Sequence, residues 1–313
     1  MNSLAPLPIA GATSVVFFGT PEVAVPHLQA LVANDINVEL VVTRPDVRRG
    51  RGGEISPSPV KIAAQKLGIR VSHEVNDVMT LANEKQNLLG VVVAFGELIS
   101  VEVLSQVPMI NVHFSLLPRW RGAAPVERAI LTGDSKTGVC IMRVVEKLDE
   151  GEIFDRQEVI INGSDDLNSL RIKLNEVAVK MLLRVVKIGF DRGIAQTGEV
   201  SYAKKIKTAD LLIDWQGASS QILRQVRVGG AFTYVNGRRL KIVRAHLMPK
   251  NSQEFKNGQV CELSKSSCLI ASGDGALAIE VVQPEGKSEM SVEEWLRGAR
   301  LDAKTIFGSV VPG

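Results

Sequence analysis

Apolar residues along the chain follow two rhythms. Unbroken runs at 14–20 (S-V-V-F-F-G-T), 37–43 and 88–95 (L-L-G-V-V-V-A-F) alternate with stretches spaced by three and four, such as Val25, Leu28, Leu31 and Val32 within 22–34. Continuous runs suit strands buried on both faces of a parallel sheet, and the 3.6-residue spacing suits helices that cover it. The order strand, helix, strand predicts an α/β domain with a doubly wound, Rossmann-like sheet over residues 13–191. Residues 59–67 and 126–131 read as further helices, and 109–114 and 138–145 as further strands. Residues 166–191 carry Leu167, Leu170, Leu174, Val177, Met181 and Val185 at helical spacing. They predict one long amphipathic helix that closes the domain, with its N-cap in Ser164-Asp165-Asp166.

The pattern changes at Thr208. One helix (219–228) precedes five short β runs at 232–235, 240–247, 258–263, 268–271 and 276–282, with hairpin turns at Asn236-Gly237 and Asp274-Gly275. Five short strands with tight turns predict a small OB-like β-barrel over 208–313. Residues 192–207 read as a linker and 1–12 as a loose N-terminal tail.

Composition narrows the classes. A length of 313 residues suits two domains, and 45% hydrophobic with 23% charged residues is ordinary for a soluble globular protein. Three cysteines (Cys140, Cys261, Cys268) lack metal-ligand spacing and are an odd number, which argues for cytosolic thiols and against a metal site or a disulfide framework. No apolar run reaches 18 residues, so no membrane span is expected and a cytoplasmic location follows. The net charge of +3 is too slight to point to a nucleic acid, so local clusters must carry that inference. The first strand turn has only Gly19 and no G-x-G-x-x-G, which disfavours a dinucleotide site.

One such cluster is 44–59, R-P-D-V-R-R-G-R-G-G-E-I-S-P-S-P. Its glycines and prolines predict an irregular loop, and Arg44, Arg48, Arg49 and Arg51 make it basic. It reads either as a solvated loop or as an arm that orders against phosphates. In the second domain Arg239 and Lys241, on either side of Leu240, head a patch with Arg238 and Arg244. That patch is a solvated barrel wall or an RNA face.

The central stretch is 109–125, M-I-N-V-H-F-S-L-L-P-R-W-R-G-A-A-P. Strand alternation puts Asn111, His113 and Ser115 on one face at a strand's carboxyl end, where ligands bind in open α/β sheets. An amide and an imidazole about 7 Å apart can both donate to a carbonyl oxygen becoming negative. Taken alone, N-x-H is equally a loop hydrogen bond and a half-buried histidine. Further on, Lys147-Leu148-Asp149-Glu150-Gly151 offers either an Asx turn at Asp149 or a carboxylate, with Glu150 as competitor.

These residues together resemble the methionyl-tRNA formyltransferases. N-V-H-x-S-L-L-P-R-W-R-G-A-A-P, F-G-T-P-E (18–22), S-P-S-P-V-K (56–61) and L-D-E-G-E-I (148–153) occur in the family's order. N-x-H and D-x-G mark the wider group of folate-dependent formyltransferases; R-W-R-G-A-A-P with P-S-P-V-K is specific to the tRNA enzymes. The resemblance implies 10-formyltetrahydrofolate as formyl donor and initiator methionyl-tRNA as acceptor, with no metal, in a monomer. It makes Asn111, His113 and Asp149 catalytic, Asp149 orienting His113 and stabilising its protonated form. It places folate against Phe95, Gly96, Leu98 and Ser115, Leu116, Leu117, Pro118, and tRNA against Arg44, Arg48, Arg49, Arg51, Arg239 and Lys241. Three departures stand out. Val47 replaces an arginine common after P-D, Phe114 replaces a common glycine and should face away from His113, and 228–231 lacks a Pro- and aromatic-rich segment. Two alternatives remain: a sugar-nucleotide formyltransferase, and an RNA-binding relative without catalysis.

Overall fold

The computed structural model describes residues 4–49, 54–190, 192–248 and 255–308. The chain divides into two compact units. One comprises Met1–Val126, Lys136–Ile160 and Leu170–Lys204, the other Glu127–Ser135, Ile161–Ser169 and Lys205–Gly313.

In the first unit, β1 (Ser14–Gly19) is buried at every position and leads to α1 (Val25–Ala33) and β2 (Asn37–Val42). A hairpin of β3 (Val47–Arg49) and β4 (Glu54–Ser56) precedes α2 (Pro59–Lys66). Ser58 caps α2 by accepting from the Lys61 N–H at 3.0 Å, and Pro59 sits at the first turn where its missing N–H costs nothing. Then come β5 (Val71–Ser72), α3 (Val78–Glu84), β6 (Leu88–Val93), α4 (Val101–Leu104), β7 (Met109–His113), β8 (Arg121–Gly122) and α5 (Pro125–Thr132), whose residues from Glu127 on belong to the second unit. The series ends with β9 (Lys136–Arg143), β10 (Ile153–Ile160), α6 (Leu167–Ile188) and β11 (Tyr202–Ala203).

The main sheet has the order β10-β9-β7-β6-β1-β2-β5. From β1 the chain winds outward to β2 and β5 on one side and to β6 and β7 on the other, which leaves a crevice at the carboxyl ends. β9 and β10 run antiparallel to their neighbours and extend the parallel sheet on the β7 side. The apolar rhythm missed β10 because its centre, Asp155 to Glu158, is charged or polar and largely exposed. Such charge is how an edge strand discourages further pairing.

Three expectations change. Residues 44–59 are not wholly irregular: Val47 pairs with Ser56, Arg48 with Ile55 and Arg49 with Glu54. The β-branched Val47 and Ile55 favour extended backbone in the two paired strands. The N-terminal tail is tied down, since the Ala5 N–H donates to Leu104 O (3.0 Å) and Ala5 O accepts from Arg143 Nη2 (2.7 Å). Residues 192–204 are not a free linker: Ile194 bridges Ile153, and β11 pairs with β8. The long helix begins as expected, with Asp166 Oδ1 accepting from the Ser169 N–H at 2.7 Å while Ser169 Oγ accepts from the Asp166 N–H at 3.0 Å.

The second unit holds α7 (Ser219–Val228), β12 (Phe232–Val235), β13 (Arg238–Met248), β14 (Val260–Leu263), β15 (Cys268–Ala271), β16 (Ala276–Pro284), β17 (Met290–Ser291) and α8 (Val292–Ala299). An antiparallel sheet runs β12-β13-β16-β15-β14, with β17 on β16. Ile306 and Gly308 bridge Gln259 and Tyr234, so the two edges of the curled sheet meet through the C-terminal stretch. Phe307 between them packs on Trp215 and Trp295 in the core. The shortened 228–231 segment joins the end of α7 to β12 through Gly229, Gly230 and Ala231. Gly229 and Gly230 take φ of +89° and +80°, which favours residues without a Cβ.

Candidate active site

β7 delivers Asn111 and His113 to the crevice, opposite Met142 and Cys140 of β9. His113 is only 5% exposed. Its Nε2 lies 2.9 Å from Trp120 O, and a carbonyl can only accept, so Nε2 carries the proton. The other ring nitrogen, Nδ1, is 3.7 Å from Asp149 Oδ2, an ion-pair distance too long for a hydrogen bond. Nδ1 therefore keeps capacity for a substrate atom.

Asp149 reaches this point from the loop between β9 and β10, with φ at +53°. The turn is tight: a Cβ on Gly151 would lie 1.9 Å from Arg143 O, so only glycine fits. Asp149 Oδ2 accepts from the Gly122 N–H at 2.7 Å and Oδ1 from Asn111 Nδ2 at 3.4 Å. The carboxylate is thus held by residues 27 and 38 positions earlier, and the Asx-turn reading does not apply. Glu150 is directed elsewhere, pairing with Arg121 Nη1 at 2.9 Å. Cys140, opposite His113, is no nucleophile, because burial pushes its thiol up to about 11.

A cleft of about 520 Å³ opens in front of these groups, lined by Asn111, His113, Asp149, Phe95, Gly96 and Leu98 among others. Ser115, Leu116, Leu117 and Pro118 are not on its wall. Ser115 Oγ donates to Arg119 O at 2.6 Å, and Leu117 is buried with Cys140, Met142 and Ile153. They shape the turn beneath the site because the chain folds under β9 directly after Phe114. Phe114 packs edge-on against His27 of α1, ring centroids 6.0 Å apart.

The basic residues divide. Arg44 Nε pairs with Glu97 Oε1 at 3.1 Å, and Glu97 lines the cleft, so Arg44 stands at the cleft's rim. Arg48 is exposed on β3. Arg49 closes β3 in the hairpin ladder, and Arg51 lies outside the described residues. Behind the hairpin, Lys61 Nζ pairs with Asp46 Oδ2 (2.7 Å) and meets His73 Nε2 (3.4 Å), while His73 Nδ1 donates to Thr43 O (2.8 Å). In the second unit Lys241 is half-buried and pairs with Phe232 across the ladder. Arg239 is stacked on the Phe232 ring at 3.8 Å, less freely presented than a solvated patch implies.

Trp120 O and the Gly122 N–H are backbone groups inside the recognised motif, where side-chain reading passes over them. Gln196, whose amide bonds to the Asp149 loop, lies in the expected linker and carried no signal at all.

An amide, an imidazole and a carboxylate around one cleft at the rim of such a sheet are groups suited to acyl transfer. Residues 13–186 match the model of the formyl transferase family, and residues 205–300 that of the formyl transferase C-terminal domain. The chain belongs to the methionyl-tRNA formyltransferase family. It is 39% identical to the methionyl-tRNA formyltransferase of Symbiobacterium thermophilum, covering 94% of each chain. It is 34% identical to that of Pelotomaculum thermopropionicum, covering 94% of this chain and 98% of the relative. Solved structures share the fold at lower identity. An N-formyltransferase from Helicobacter canadensis in complex with folinic acid and dTDP-3-aminofucose has a TM-score of 0.63 and 20% identity, covering 87% of this chain and 99% of that one. HypX from Aquifex aeolicus in complex with tetrahydrofolic acid has a TM-score of 0.62 and 18% identity. The match covers 92% of this chain, which spans about half of HypX (48%). Among the described residues no helix is long and apolar enough to cross a membrane.

Proposed function

We propose that this enzyme transfers the formyl group of 10-formyltetrahydrofolate to the α-amino group of initiator methionyl-tRNA, as a monomer in the cytoplasm, in support of translation initiation. The reading is carried by the convergence of Asn111, His113 and Asp149 on one cleft, joined to full-length similarity to enzymes named for this reaction. The free amine attacks the formyl carbon, forming a C–N bond and a tetrahedral oxyanion. Asn111 Nδ2–H and protonated His113 stabilise that oxygen, the imidazolium through Nδ1–H because Nε2–H stays with Trp120 O. Asp149, aimed by the Gly122 N–H, takes the amine proton directly or through one water. His113 gives its Nδ1 proton to N10, the C–N10 bond breaks and tetrahydrofolate leaves. A proton passing from Asp149 to His113 resets the pair.

The pterin is accommodated by backbone along Phe95, Gly96 and Leu98, which line the same cleft. Arg44 at the rim, with Arg48 and Arg49 of β3 and with Arg51, meets the acceptor-end phosphates; Arg239 and Lys241 supply a second, weaker contact. The test is labelled formyl transfer onto initiator and elongator methionyl-tRNA and onto an amino-sugar nucleotide. Transfer to the initiator alone supports the reading, and transfer to the sugar nucleotide alone overturns it. Sedimentation at working concentration checks the monomer.

A further inference from the structure

The Asp149 turn holds a non-glycine residue at φ +53°, a conformation that L-residues adopt only with outside support. Two backbone carbonyls of this turn, Asp149 O and Gly151 O, accept from the same side-chain amide, Gln196 Nε2, at 2.8 and 2.9 Å. The other end of that amide, Oε1, accepts from Arg121 Nε at 3.1 Å and Nη2 at 2.8 Å. A guanidinium only donates, so Arg121 fixes which end of the Gln196 amide faces the turn. Arg121 Nη1 then pairs with Glu150 Oε1 at 2.9 Å, which closes a ring from the turn through Gln196 and Arg121 back to the turn. Arg121 is 8% exposed, so water competes little for these bonds.

The ring also reaches both partners of the proposed chemistry. Arg121 lies between Trp120, whose carbonyl holds His113 Nε2–H, and Gly122, whose N–H holds Asp149 Oδ2. From these bonds we infer that Gln196 is a positioning residue for formyl transfer. Its amide clamps the Asp149 turn in register with the 120–122 strand and so sets the Asp149–His113 geometry. Gln196 itself does not line the cleft. The inference rests on the catalytic reading of Asp149. If Asp149→Ala retained full activity, that reading would fail; if Asp149→Ala were inactive and Gln196 variants normal, only the clamp would fail.

The discriminating variant is Gln196→Glu. A glutamate keeps, and charges, the contact to Arg121, but it has no N–H for the two carbonyls. A tether acting only through Arg121 predicts full activity in Gln196→Glu. The clamp predicts that kcat falls about tenfold or more, since small misplacements at a reacting centre are costly. KM for both substrates should change less than about twofold, because only transition-state alignment is lost. Gln196→Met removes both bonds and should lose at least as much. The structural control is the pH profile of kcat, followed with the 15N-edited titration of His113. Both should shift in Gln196→Glu, because the carboxylate beside Nδ1 is no longer held. A kcat within twofold of wild type with an unmoved His113 titration overturns the inference. Should either variant be too unstable to assay, Arg121→Lys gives the same readout. It keeps a cation for Glu150 but cannot donate from two nitrogens to Oε1, and an unchanged His113 titration there overturns the clamp as well.

Discussion

The reacting cleft and the basic hairpin lie in the same unit and are built on opposite plans. In the cleft every side chain of the proposed chemistry is held in place: His113 by Trp120 O from the same motif, and Asp149 and its turn by groups distant in sequence, the Gly122 N–H, Asn111 and Gln196. In the hairpin Arg48 is exposed, Val47 and Ile55 are 46% and 69% exposed, and Arg44 has one ion pair at its rim. The difference follows from the partners. A developing oxyanion is stabilised only by donors already in place, whereas a phosphate backbone is met by charge that can adjust. Rigid chemistry and adaptable recognition are therefore separated along the chain, even where Arg44 and Glu97 bring them to a common edge.

The largest effect should come from breaking the rigid side. Asn111→Ala or His113→Ala is expected to lower kcat at least about a hundredfold, the cost of one lost oxyanion donor, with tRNA affinity nearly unchanged. Equal losses in kcat and in tRNA binding would contradict the separation. Next, Gly151→Ala would bring a Cβ to 1.9 Å from Arg143 O. Activity should fall about tenfold or more through displacement of Asp149, with a lower Tm. A fully active Gly151→Ala enzyme would mean that the turn is softer than it looks.

An intermediate effect belongs to stability. His27 is fully buried against Phe114, and among the described residues neither ring nitrogen reaches a partner at hydrogen-bond geometry. Burial lowers its pKa from 6.5 to about 4, with the Val23 backbone opposing only in part. The unfolded chain therefore binds the proton more readily than the folded one. Stability from this group is complete above pH 6.5 and is lost as pH falls towards 4, about 2 kcal/mol of it by pH 5. Urea unfolding at pH 7.5 and pH 5 should show that loss in wild type and not in His27→Met. The smallest effect is on the adaptable side. Arg44→Ala or Arg48→Ala should raise KM for tRNA about threefold to tenfold at low salt, less at high salt, with kcat within twofold. A kcat loss as large as that of His113→Ala would place these arginines in the chemistry and dissolve the contrast.

Of the first unit's parallel strands, β1, β2, β6 and β7 were legible because their faces are largely buried, and no alternation blurs a run such as 14–19 or 88–93; the two-residue β5 was too short to show. β10 was not legible either, since an edge strand with exposed charge has no apolar signature. The hairpin at 47–56 was hidden by its glycines and prolines, and the anchoring at Ala5 by a segment whose apolar residues, broken by Pro6 and Pro8, follow neither strand nor helix spacing. Asn111, His113 and Asp149 could be named from their motifs, but residues 115–118, expected on the folate side, do not line the cleft. Sequence adjacency to His113 put those residues under the cleft, and Phe95, Gly96 and Leu98, far off in the chain, on its wall.

What the sequence determined by itself was local: which segments are strands or helices, where they are capped, and which residue types are available for acyl transfer. Tertiary structure alone decided which of two neighbouring carboxylates faces the imidazole, which ring nitrogen is left for the substrate, and that a glutamine from an apparent linker holds the turn. Those choices depend on hydrogen bonds between groups 7 to 47 residues apart. No local pattern encodes such bonds, because each forms only once the sheet has brought its partners together.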